Sequence, residues 1–287
     1  MLSALDSAQQ DVAEYMADTT PDVMQSLGSK NIGSGEFAFD TSRLIGWAGN
    51  GQNTFVNLWS SVLLGKQSVA NGNSLNMALS TIENSLALRS RTVLADTART
   101  SSMMAAKAHS FTAHYVRMLT PPSCGRCAIL AGIPSGKKAF ERHPHCDCVA
   151  AWSTDESALA KHYANATDYL NSLSSEDLAK TLGSQANAQA WHDGADLNQL
   201  VNAYRKSGNV RPAQLYGRSI KYTSEGTTKH GWAYSRMKQA GYVKGHVEYG
   251  SKYWRADRPR LMPESIYQIA GSDHAQAMRL LNNYGWL

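Results

Sequence analysis

Residues 124–148 read CGRCAILAGIPSGKKAFERHPHCDC, and they hold all four cysteines of a 287-residue chain with two of its nine histidines. A Cys-x-x-Cys pair turns two sulfurs toward one point. A second pair of nitrogen or sulfur ligands about 15–20 residues later completes a four-ligand zinc site. Cys124 and Cys127 form the first pair, while His143, His145, Cys146 and Cys148 crowd the second. With six candidates for four positions, the expected set is the four cysteines, or three cysteines with His143. If 143–148 run extended, alternation puts both histidines on one side and both cysteines on the other; a turn at Pro144 changes that. A site closed by four protein ligands is structural, since no position remains to activate water. Such a site would clip the loop 128–142. Two disulfides, or four reduced thiols, are the competing states of the same residues. A thioredoxin-type redox pair needs a βαβ context that the flanking sequence lacks.

Those flanks set the fold expectation. His114-Tyr-Val-Arg-Met-Leu119, closed by Pro121-Pro122, reads as a strand, and Val149-Ala-Ala-Trp152 reads as another. The fold class is therefore mainly α, with a small α+β module around the cysteine cluster.

Upstream, Leu2, Leu5, Ala8, Val12 and Met16 suit one helix face that ends before Pro21. Gly28–Gly35 has the composition of a flexible joint. Phe55, Leu58, Trp59, Val62 and Leu63 recur at helical spacing, as a core-facing stripe does. Ser74 is placed to cap a long helix with Leu75, Leu79, Ile82 and Leu86 as its stripe, continuing through Val93 and Ala98. Downstream, Ser174 and Gly183 bracket a helix, 187–204 reads as a further helix broken at Asp193-Gly194, and 207–260 reads as irregular or short strands. Pro263–Ile269 and a helix over 273–283 capped by Ser272 close the chain. The expected regions are 1–84 (helical), 85–153 (the cysteine module), 154–206 (helical) and 207–287 (basic, ending in helices).

Charge is unevenly placed. Residues 201–287 hold 14 Lys and Arg against 5 Asp and Glu, a balance of +9, and the first 200 residues carry −4. A basic end on a mildly acidic body suits a polyanionic or acidic partner. Tyr249, Tyr253 and Trp254 lie beside Lys252 and Arg255 there. The sequence has no apolar run of about 18 residues, so no membrane partner is expected, and residues 1–6 lack the features of a secretory signal. A reducing cytoplasm follows as the expected place of synthesis, which favours metal over disulfides.

No catalytic residue stands out. Gly132-Ile-Pro-Ser-Gly-Lys-Lys138 is one residue short of a phosphate loop and lacks the hydroxyl after its lysine. There is no His-Glu-x-x-His and no Gly-x-Ser-x-Gly. His109-Ser110 falls inside a helical stretch.

The spacing Cys-x-x-Cys, then a loop, then His-Pro-x-Cys-x-Cys resembles the signature of phage head-morphogenesis proteins of the Mu F type. Arg91–Thr100 occupies the place of the family's Arg-, Thr- and Ala-rich helix before the first cysteine pair. His143-Pro-His-Cys-Asp-Cys148 looks like the variant in phages of actinobacteria. Ala188–Ala203, Thr223–Thr228, Arg260–Tyr267 and the closing Arg279-Leu-Leu-x-x-Tyr284-Gly285 resemble segments of the same proteins. The resemblance covers roughly residues 85–287. It implies a minor capsid protein that acts near the portal during head assembly in the host cytoplasm and ends inside the virion head. Portal or major capsid protein would be its partners, with packaged DNA at the basic C-terminal region. Such proteins are often labelled capsid maturation proteases, and related modules are sometimes fused to injected effectors, so both remain alternatives.

Overall fold

The first helix of the computed structural model, α1 (Leu2–Ser26), runs straight through Pro21 instead of stopping before it. An interior proline removes a ladder hydrogen bond and crowds the carbonyl one turn back, at a cost of about 3 kcal/mol. Burial beyond the proline offsets it: Met24 is fully buried and packs with Ala106, Ala113, Tyr115 and Trp152. The buried row of α1 is Leu5, Gln9, Ala13, Thr20 and Met24, so Val12 and Met16 sit only half-buried beside it. Gln9 uses both ends of its amide. Nε2 donates to Leu44 O, Trp47 O and Thr97 Oγ1, and Oε1 accepts from Gly46 N. A fully buried amide is tolerated only when satisfied in this way.

The structure describes residues 2–30, 32–33, 39–136, 140–143, 146, 148–215, 217–249 and 253–287. Of the Gly28–Gly35 stretch, the described part is anchored: buried Ser29 hydrogen-bonds Ser153 Oγ at 3.0 Å and accepts from Thr154 N.

α2 (Thr54–Ala70) is capped by Asn53, and α3 (Leu75–His109) is capped by Ser74 as expected. They pack closely through small residues; a Cβ on Gly65 would come within 2.4 Å of Ile82. The stripe expected to be core is turned outward. Leu58 is buried, but Phe55, Trp59 and Leu63 face solvent, as do Leu75 and Leu79 of α3. Ala78 is buried where α3 meets α2, and from Val93 onward Asp96, Thr97, Arg99, Ser101 and Ser102 are all buried.

β1 (His114–Met118) pairs antiparallel with β2 (Val149–Ser153), in register from His114↔Ser153 to Met118↔Val149. Their Tyr115 and Trp152 rings meet at 5.0 Å. Between the strands lies the single turn α4 (Gly125–Ala128). α5 (Glu156–His162) follows β2, with Asp155 accepting from Ser157 N and Ala158 N as its cap. Leu159 of α5 buries against Leu27, Val116 and Ala151.

The chain divides into two compact units, residues 1–123 with 130–169, and residues 124–129 with 170–287. After α6 (Ala166–Asn171), the second unit contains α7 (Ser175–Leu182), α8 (Gln185–His192) and α9 (Leu197–Ala203). Ser174 caps α7, Gly183 closes it at φ +92°, and Gly194 at φ +95° makes the expected break after α8. Then come β3 (Val210–Leu215), β4 (Arg218–Thr223), α10 (Trp232–Gln239), β5 (His246–Tyr249), β6 (Tyr253–Ala256) and β7 (Arg260–Leu261). Strands β3-β4-β7 form one sheet and β5-β6 a hairpin. α11 (Pro263–Ala270) and α12 (His274–Asn283) end the chain. Asp273 caps α12 in place of Ser272: its carboxylate takes the Gln276 N–H at 2.8 Å, one residue nearer the helix. The core of this unit gathers Leu200, Ile220, Met262, Ile266, Leu281 and Trp286. Among the described residues the chain is mainly helical, with short strands.

Candidate metal centre

α4 is a knuckle. Cys124 is its N-cap residue, and its carbonyl accepts from both Cys127 N and Ala128 N at 3.0 Å. Gly125 is required there, since a Cβ would meet Thr181 O and Val201 at 2.9 Å. Arg126 donates to the carbonyls of Tyr204 and Arg205, which fixes the turn from below. In the second ligand segment Cys146 N donates to His143 O at 3.1 Å, which draws these two candidate ligands together. The alternation expected for 143–148 involves three further residues. Pro144, His145 and Asp147 lie outside the described residues.

The ligand atoms fall into two overlapping groups. Those of Cys124, Cys127 and His143 all lie within 4.8 Å of one another, and so do those of Cys127, Cys146 and Cys148. Every candidate ligand among the described residues is therefore in a group, and Cys127 belongs to both. Cys127, Cys146 and Cys148 are buried, and Cys124 is exposed. These groups sit close enough to hold a metal ion. A set made of thiolates with one imidazole suits a soft or borderline cation in tetrahedral geometry.

The surroundings of Cys146 and Cys148 fit such an ion. Arg99 of α3, buried, donates from Nε to Cys148 O at 2.8 Å and from Nη2 to Cys146 O, so one guanidinium spans both ligand carbonyls. Arg117 of β1, also buried, reaches Cys146 Sγ at 3.5 Å, and Ser123 Oγ lies 3.6 Å from Cys148 Sγ. A divalent cation held by four thiolates would carry about two negative charges in excess; the Arg117 guanidinium, and that of Arg99 in part, would offset them. Phe140 fills the space between those cations, with the Arg117 carbon 4.0 Å and the Arg99 carbon 5.3 Å from its ring centre.

Asp96 completes the support. Its Oδ1 takes Arg99 Nη1 at 3.0 Å and Arg142 Nε at 2.6 Å. Arg142 immediately precedes His143, so the aspartate ties α3 to the second ligand segment. Burial pushes the Asp96 carboxyl up, and the Arg142 and Arg99 charges pull it back. Gly49 must lack a side chain to let Asp96 in, because a Cβ would lie 2.2 Å from Oδ2.

No family model, curated protein or solved structure matches the chain. The site is therefore read from its own chemistry. Sequence reasoning missed the supporting residues, although two signals were present. Asp96-x-x-Arg99 is an i,i+3 pair inside an apolar helix, and Arg117 follows Tyr115-Val116 in a short strand, where a charge is seldom buried unpaired. Of the sequence's other candidates, His109 Nδ1 lies 2.6 Å from Gly33 O at the end of α3. Lys137 and Lys138 of the short phosphate-loop look-alike lie outside the described residues.

The basic end is partly structural. Arg260 is fully buried, donating to Tyr284 O, Gly285 O, Glu225 O and Gln199 Oε1 and stacking 3.6 Å over Trp286. By contrast Arg211, Arg218 and Lys221 are exposed on the β3-β4 hairpin. Exposed Trp254 and Trp232 carry Lys229 at 5.9 Å and Arg236 at 4.5 Å over their rings. Lys252 lies outside the described residues. Among the described residues no helix is long and apolar enough to cross a membrane.

Proposed function

We propose that this chain is a minor head protein of a tailed phage, in which Cys124, Cys127, Cys146 and Cys148 hold a structural zinc ion. The carrying observation is the pair of ligand groups that share Cys127, formed by the residues of the Cys-x-x-Cys…His-Pro-x-Cys-x-Cys signature. Four thiolates close the coordination shell, so the ion would brace the loop 128–142 and the β1-β2 pair and would not act on substrate. His143 stands beside Cys124 and Cys127 as the alternative fourth ligand. The exposed cations of the β3-β4 hairpin would face packaged DNA or an acidic portal surface inside the head. Metal analysis and thiol titration of one purified sample test the ion: about one zinc per chain with protected thiols is expected. Metal-free protein with four reactive thiols removes it. Co-expression with portal and major capsid protein from the same genome tests the role; failure to co-purify with either overturns it.

One observation favours the second reading, a head protease. A cavity of about 480 Å³ is lined by His114, Ser135 and Glu156, and His114 Nε2 stands 3.0 Å from Glu156 Oε1. General-base catalysis would use the other ring nitrogen, Nδ1, which is buried with no hydrogen-bond partner among the described residues, while Ser135 lines the same cavity. Cleavage of co-expressed capsid protein that disappears in both His114→Ala and Ser135→Ala would establish it. Uncleaved capsid protein with the unaltered chain would remove it.

A further inference from the structure

α2 is built inside out. Its buried row is Thr54, Asn57, Leu58, Ser61, Gly65 and Ser68, a single large apolar side chain among small and polar ones. The opposite row is Phe55, Val56, Trp59 and Leu63, exposed by 55%, 51%, 47% and 52%. At about 100° per residue these four share an arc of roughly 100° centred opposite the buried row. Phe55 and Trp59 stack on each other at 6.0 Å. A surface helix normally turns its apolar stripe inward. The close approach through Gly65 fills the inner side, so the apolar side is free to meet something else. The only charged residue in the helix is Lys66, which is exposed and continues the Phe55–Trp59 row at i+11 and i+7.

We propose that this face pairs with the same face of a second copy of the chain, antiparallel about a two-fold axis near Ser60. An isologous contact of this kind needs no surface other than this one. The axis brings each Lys66 to the partner's Phe55, where an ammonium over an aromatic ring is favourable, and keeps the two lysines apart. Half-exposed side chains of this size offer about 100 Å² each. With Val62, Ala70 and the Lys66 stem added, about 600 Å² per copy is covered, which is the lower end of a specific interface. The pairing is therefore reversible. A lipid surface fits less well, since a membrane-lying helix carries a cationic polar face, and the polar side of α2 is buried against α3.

Sedimentation of the full chain from about 1 to 100 µM, the range in which so small an interface associates, tests this. A monomer–dimer equilibrium is expected. Trp59→Glu with Leu63→Glu should shift it to monomer with an unchanged melting temperature, because both side chains already face water. Lys66→Glu should weaken it about tenfold by replacing the cation at the ring with an anion. A chain that stays monomeric at the highest concentration overturns the proposal, as does a dimer indifferent to the double variant and to Lys66→Glu, or assembly beyond two. Binding of the monomer to phosphatidylcholine–phosphatidylglycerol vesicles, lost in the double variant, would assign the face to lipid instead.

Discussion

Arg99 Nε donates to the carbonyl of Cys148 at 2.8 Å, across 49 positions of sequence. With Nη2 on Cys146 O and Nη1 on Asp96, every edge of this guanidinium is committed within the first unit. A lysine has the charge but not the planar fork. Arg99→Lys is expected to lower stability by about 3 kcal/mol, because it breaks up a buried ion pair and leaves ligand carbonyls unsatisfied. Denaturant midpoints measure that loss. The same variant should weaken metal binding about 10- to 100-fold, as loss of outer-layer support does at other metal sites. Unchanged affinity for added zinc would show that Arg99 only packs.

Metal removal should act on the same region. A strong chelator is expected to lower the melting temperature by about 10 °C, since the binding free energy of a structural ion is folding free energy. Cys148→Ser should reproduce most of that loss without chelator, and His143→Ala should not, if the four thiolates are the ligands. The sign with pH is fixed. The ligands bind as thiolates, so lowering the pH reloads them with protons and releases the ion, whereas raising it does not. Calorimetry with and without chelator at neutral and acid pH separates these outcomes.

What the sequence made legible was local. Turn chemistry placed Ser74, Ser174, Gly183 and the Gly194 break correctly, because each depends on a few adjacent residues. The strands that bracket the cysteines were equally readable from their composition. Tertiary effects were not. Pro21 was read as a stop because the burial of Met24 against Trp152 is invisible in a local window. Helical spacing found α2 but not its orientation, since a periodic stripe is the same whether it meets a core or a partner. α10 went unseen because only Ala233 and Met237 of it are buried, too few to make a stripe. Five of the six metal candidates do gather into groups. The arginines behind them come from elements whose approach no spacing rule encodes.

Alkaline pH should loosen the second unit. Burial first, and then the charge of Glu264, pushes the Tyr204 hydroxyl up to about 12; burial and Tyr242 do the same for Tyr284. Burial also raises Tyr267, which donates to Asp193 at 2.6 Å. In the unfolded chain these phenols ionise near pH 10. Their folded values are higher, so the folded state holds its protons longer; the stability they contribute is complete below about pH 10 and falls as pH rises toward 12. Tyrosinate absorbance should therefore rise in step with loss of near-ultraviolet circular dichroism. Tyr267→Phe should make that transition shallower. A smooth titration near pH 10 with intact dichroism would mean that these tyrosines are open to solvent.

The β3-β4 hairpin gives the sharpest test of the basic end. Arg211, Arg218 and Lys221 project from paired strands; Lys221 is partly engaged by Glu264 at 3.4 Å, and Arg211 Nε donates to Gly208 O at 3.0 Å. If they contact phosphates, duplex binding should weaken with salt along a log–log slope to which each contact contributes about 0.9. Arg211 and Arg218 share one face of the paired strands and Lys221 stands on the other, so replacing all three with alanine should reduce that slope by about 1 to 2, and should lower affinity for every sequence alike. Arg260→Ala makes the contrast, because that buried guanidinium holds the chain end over Trp286 and touches no solvent. It should cost about 3–5 kcal/mol of stability, and any loss of binding should follow unfolding. Fluorescence anisotropy with a short labelled duplex, repeated across a salt series for the three proteins, reads both effects. A slope that survives the triple substitution would move the contact off the hairpin, and binding that ignores salt would remove nucleic acid as the partner.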